Sequence, residues 1–97
     1  MNLRLVQFSL GTGTRSAAEH IADQIVPFIR SQPGCEQCKF FADYEAGDYG
    51  MVVLWASQSA ANTAASVIGP VLTGLLTDAK VTTDNRRLFD VYEPAQK

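Results

Sequence analysis

The stretch YGMVVLWASQSAANTA, Tyr49 to Ala64, decides the fold. Its first eight residues read as a strand whose two sides are both apolar. Met51, Val53 and Trp55 face one way, and Val52, Leu54 and Ala56 the other. Ser57 or Ser59 then caps a helix that opens on small residues. Upstream, EQCKFFADYE (36–45) reads as a strand and AGD (46–48) as a turn, so 36–56 is a β-hairpin. Before it, SAAEHIADQIVPFIR (16–30) has helical spacing. Ala17, Ala18, Ile21, Ile25, Phe28 and Ile29 form one stripe, and Ser16 with Glu19 has the form of a capping box. Pro27 predicts a kink or short break, and Pro33-Gly34 the end of the helix.

The chain opens on LRLVQFSL (3–10), an alternating strand with Arg4, Val6, Phe8 and Leu10 on one face and Leu3, Leu5, Gln7 and Ser9 on the other. GTGT follows as a break without the rest of a phosphate-binding fingerprint. Downstream, Gly69-Pro70 interrupts the second helix, VLTGLL (71–76) resumes it, RRLFDVYE (86–93) is a last strand and Pro94 stops it. The order βαββαβ implies an α+β ferredoxin-like domain over 1–97, a four-stranded antiparallel sheet with two helices on one face. Two helices cover one side of that sheet. The apolar residues on the other side of the third strand call for a second copy of the chain, packed sheet to sheet.

Composition agrees with a globular protein: 97 residues, 46% apolar, 19% charged, net charge -2. No basic run marks a nucleic-acid partner. No apolar run approaches the ~18 residues of a membrane span. The N-terminus lacks a signal-peptide pattern, and the expected location is cytoplasmic.

MVVLWASQSAANTA, then GPVLTGLL and RRLFDVYEP, together with the Pro-Gly before the second strand, resemble the antibiotic-biosynthesis monooxygenase (ABM) family. The sharpest element is the strand-ending Trp55 followed by Ser57, Ala60 and Ala61. The resemblance implies a dimeric α+β barrel. It also implies a monooxygenase-like enzyme acting on a flat phenolic or quinol-like aromatic, with no cofactor. The family includes haem-degrading enzymes as well, and members without known activity. The aromatic oxygenases would place an Asn four residues before the Trp and a Tyr six after it. Met51 and Ala61 stand there, with Asn62 next to the second position. The haem-degrading branch would place an Asn near Gln7 and a His in the second helix, and Ser59 to Ala79 contains none.

The candidate site residues follow. Trp55 is either core packing or the wall of an aromatic pocket. Gln7 either faces solvent or hydrogen-bonds a ligand between sheet and helices. Asn62 is the polar residue beside the family position. His20, the only histidine, lies on the flank of the first helix's stripe as an acid–base candidate. Arg86 and Arg87 point to opposite faces, so at most one turns inward, where it would anchor an anionic or phenolate oxygen. No metal site is expected. Cys35 and Cys38, three apart in a strand, should face opposite ways about 10 Å apart, too far for a disulfide unless Cys35 still lies in the turn. Cys38 should pack with Phe40, Ala42 and Tyr44. The partners implied are a second copy of the chain and a small hydrophobic or aromatic ligand. A non-catalytic ligand-binding or structural dimer is the alternative on the same fold.

Overall fold

A computed structural model describes residues 1–81 and 83–94. The elements are β1 (Asn2–Ser9), α1 (Arg15–Arg30), β2 (Cys35–Asp43), β3 (Asp48–Trp55), α2 (Gln58–Asp78) and β4 (Asp84–Asp90). The four strands form one antiparallel sheet in the order β2-β3-β1-β4, the ferredoxin-like α+β arrangement. Both helices lie on one face.

The register fixes which side chains meet the helices. Val6 pairs with Met51, Arg4 with Val53 and Phe8 with Tyr49. Across the β2 edge, Cys38 opposes Val53 and Phe40 opposes Met51. This is the covered face, and Val6, Phe8, Cys38, Tyr49, Met51, Val53 and Trp55 on it are buried. Ala18, Ile21, Ile25 and Ile29 of α1, with Ala61, Ala64, Leu72 and Leu76 of α2, complete the core. In α1 the expected stripe holds at these positions, while Ala17 turns to solvent.

Four local expectations change. First, both helices run through their prolines. Pro27 and Pro70 are exposed, and so are Asp23 and Ser66, the residues whose carbonyls lose a donor, so those carbonyls lie on the solvent side of the helices. Second, Ser16 and Glu19 form no capping box. The N-cap is Thr14, whose Oγ1 donates to the Gly11 carbonyl at 2.6 Å and lies 3.1 Å from Tyr49 Oη. Glu19 pairs instead with Arg15 at 3.0 Å. Third, a bulge between Cys35 and Gln37 sets Cys35 opposite Trp55, so both cysteines share the covered face. They are free thiols, and burial pushes the Cys38 thiol up to about 11. Fourth, α2 is long and apolar enough to cross a membrane by length and composition alone. Its buried stripe packs on the sheet.

Ser57 is the cap of α2: its Oγ accepts from the Ala60 N–H at 3.1 Å. Ser57→Ala should therefore lower unfolding free energy by about 1 kcal/mol. Ser16→Ala, which removes no cap, should stay within about 0.5 kcal/mol. Urea unfolding of the two variants side by side checks the assignment.

Candidate functional site

Between the covered face and α2 lies a cavity of about 90 Å³. Its sheet wall is Val6, Met51, Val53 and Trp55; its helical wall includes Ile29, Ile68 and Leu72. The walls are apolar because strand alternation delivers every second residue of β3 inward and helical spacing delivers Ala61, Ala65, Ile68 and Leu72 from α2. Ala65 and Gly69 leave the space that larger side chains would fill.

Two arginines border this cavity, Arg4 of β1 and Arg86 of β4. They share the covered face because Arg4 opposes Leu88 and Val6 opposes Arg86. That makes them diagonal neighbours, about 7–8 Å apart at the backbone. Arg86 is held: its Nε donates to Asp84 Oδ2, and Nη2 donates to Thr73 Oγ1 at 3.1 Å. Arg4 is half-buried and has neither hydrogen bond nor ion pair among the described residues. Asp90, two residues beyond Leu88, takes a hydrogen bond from Asn2 Nδ2 at 2.9 Å. The cavity borders contain no Asp, Glu, His, Cys, Tyr or Lys. Arginine stays charged, so no side chain here can accept a proton.

Of the residues singled out from the sequence, Trp55, 2% exposed, and Arg86 border the cavity. Gln7, His20, Asn62 and Arg87 lie elsewhere. Gln7 is exposed on the open face, in a broad concavity of about 570 Å³ with Ser9, Phe41 and Asn85. Its face carries Leu3 and Leu5, and strand parity puts it opposite the helices. His20 is exposed on α1, 2.6 Å from the Gln24 amide, in a groove beside the end of α2. Asn62 is exposed on α2, one residue and about 100° from the inward Ala61. Arg86 lies on the covered face at the cavity border while remaining exposed to solvent, and Arg87 lies over the Phe89 ring on the open face at 4.7 Å. Arg4 was readable as a member of the Val6 face, but nothing in the alternation distinguished it from a solvent-facing strand arginine.

Cys35 and Cys38 take no part in the cavity border. No group of three or more His, Cys, Asp or Glu side chains is gathered as a metal site among the described residues.

No protein-family model matches the chain. No curated protein matches it either. Solved structures do, at identities that establish the fold alone. A Deinococcus radiodurans protein named as an antibiotic biosynthesis monooxygenase aligns with TM-score 0.81 and 18% identity, over 100% of this chain and 98% of its own. SnoaB, a cofactor-independent oxygenase from Streptomyces nogalater, aligns with TM-score 0.69 and 15% identity, over 99% and 96%. The monooxygenase of the gene ActVA-Orf6 of Streptomyces coelicolor, in complex with nanaomycin D, aligns with TM-score 0.74 and 18% identity, over 99% and 91%. The chain has the ABM fold.

Proposed function

We propose that the protein is a small-molecule monooxygenase of the ABM type, acting as a homodimer on a flat phenolic aromatic without a cofactor. The observation that carries this reading is the apolar cavity between sheet and helices, walled by Trp55 and bordered by the fixed guanidinium of Arg86. Two of the structural neighbours, an oxygenase described as cofactor-independent and a monooxygenase with a bound ligand, are consistent with it.

With no side-chain base at the cavity, the substrate must be acidic enough to ionise beside a cation. Arg86 stabilises the resulting oxyanion by a charge-assisted hydrogen bond, and solvent at the mouth takes the proton. The anion is electron-rich and reduces dioxygen directly. A ring CH2, as in the keto tautomer of a phenol, becomes C=O; one oxygen atom stays, and the other leaves as water with the two hydrogens. The balance needs no further reductant. The protein contributes orientation, exclusion of water and a preorganised positive charge.

The same lack of a base favours a second reading, a ligand-binding dimer that performs no chemistry. An oxygen electrode separates the two. With a panel of quinols and keto-tautomeric phenols, the oxygenase should consume one O2 per substrate turned over. Arg86→Gln should slow it about 100-fold. Binding without any oxygen uptake would leave the second reading standing.

A further inference from the structure

We infer that the cavity selects a single-ring aromatic carboxylate, with the ring against Trp55 and the carboxylate held by Arg4. The inference rests on reading this cavity as the substrate site, and it adds a second anchor to the one Arg86 provides.

Three observations carry it. The first is size. An apolar cavity of roughly 150 Å³ takes up one benzene ring. At about 90 Å³ this one is smaller than that and open at its mouth, so a single ring enters only part-way and a fused polycycle would leave most of its surface outside.

The second is charge. Asp84 compensates Arg86, whereas Arg4 at the border has no carboxylate within 4 Å among the described residues; Asp90, diagonal to it across β4, is turned to the Asn2 amide. A half-buried guanidinium without a partner is costly, and a monoanionic ligand removes that cost. A planar carboxylate matches the donor fork of arginine in two-point fashion, which a phenol oxygen does not.

The third is division of labour. Arg86 has Nε and Nη2 committed to Asp84 and Thr73, so it is fixed in place as a donor to one oxygen. Arg4 keeps its whole fork. A hydroxybenzoate-like ligand, with an acidic oxygen at one position and a carboxylate at another, uses both.

The chain has one tryptophan, so the indole N–H of Trp55 gives a single NMR signal located in the cavity wall. Titrating 15N-labelled protein with benzoate, methyl benzoate and 2-anthracenecarboxylate tests the inference directly. Benzoate should move the Trp55 signal and saturate at a concentration at least tenfold below that of its neutral ester. Added salt should weaken the benzoate response. The tricyclic acid should leave the signal in place. Arg4→Gln should weaken benzoate at least tenfold and leave the ester response unchanged, which also shows that the variant's cavity is intact. No shift with benzoate, equal affinity for acid and ester, a tricyclic acid that matches benzoate, or unimpaired benzoate binding by Arg4→Gln would each overturn it. Benzoate binding as expected in a protein that never consumes oxygen would sink the oxygenase reading and leave this one intact.

Discussion

Val52→Glu should convert the proposed dimer into a monomer that folds normally. The open face of the sheet carries Leu3, Leu5, Val52 and Leu54 at its centre, paired Leu3 with Leu54 and Leu5 with Val52. Phe89 adjoins Leu3 from β4, and Phe41, 39% exposed, lies on β2. The helices are all on the other side. A twofold axis through such a face pairs it with itself, so one substitution enters the interface twice. Each carboxylate taken out of water in that interface costs several kcal/mol, more than pairing with Lys39 of β2 returns. Two together weaken association by roughly 10⁴-fold or more. The monomer is spared, because Val52 is only half-buried there and its neighbour on β2 is Lys39, a favourable cross-strand partner for Glu. Sedimentation at micromolar concentration should give twice the chain mass for the unsubstituted protein and the chain mass for the variant. An unsubstituted protein that sediments as a monomer would remove the dimer from the proposal.

The faces behind this expectation were legible in the sequence, and the reason is parity. Once Tyr49–Ala56 is a strand, Met51, Val53 and Trp55 must share a side, and the buried set contains all three. The stripe of α1 was legible for the same reason at a different period. What parity cannot supply is the choice between faces when both are apolar. β1 offers Leu3 and Leu5 on one side and Val6 and Phe8 on the other. The inner side proved to be the one with Arg4, so Gln7 went to the open face with Leu3 and Leu5. The choice is made by long-range pairing with β3 and β4, and the same pairing put Arg86 rather than Arg87 on the covered face. A bulge is still less legible. One extra residue at Glu36 reversed the expected orientation of Cys35, and no composition signal accompanies it, because Glu36 is exposed. Capping also depended on tertiary contact. Thr14 takes the N-cap position while its hydroxyl is engaged by Gly11 and Tyr49, a partner 35 residues away.

Gly47→Ala should be among the most damaging single-methyl changes in the chain, costing about 3–5 kcal/mol. Gly47 closes the β2–β3 turn with φ +75°, a conformation that costs Ala about 1–2 kcal/mol. Its carbonyl accepts from the Leu10 N–H at 2.9 Å, the Gly11 N–H at 3.4 Å and the Ser9 hydroxyl at 3.3 Å. The hairpin turn is thereby tied to the start of the β1–α1 loop. A Cβ on Gly47 would fall on the Gly11 carbonyl group, so backbone has to move and those bonds have to stretch or break. Each is worth about 1 kcal/mol. Gly13 supplies the control. It has φ +72°, close to that of Gly47, and a Cβ there meets nothing within 4 Å. Gly13→Ala should cost only the backbone share, about 1–2 kcal/mol. The difference between the two variants in urea unfolding, at one protein concentration because a dimer's stability depends on it, isolates what the turn-to-loop contact contributes. Equal losses would mean that the contact contributes nothing beyond conformational strain. A gap of about 2 kcal/mol or more would mean that the hairpin and the β1–α1 loop are held as one unit, with Tyr49, at the start of β3, reaching Thr14 at the end of the same loop.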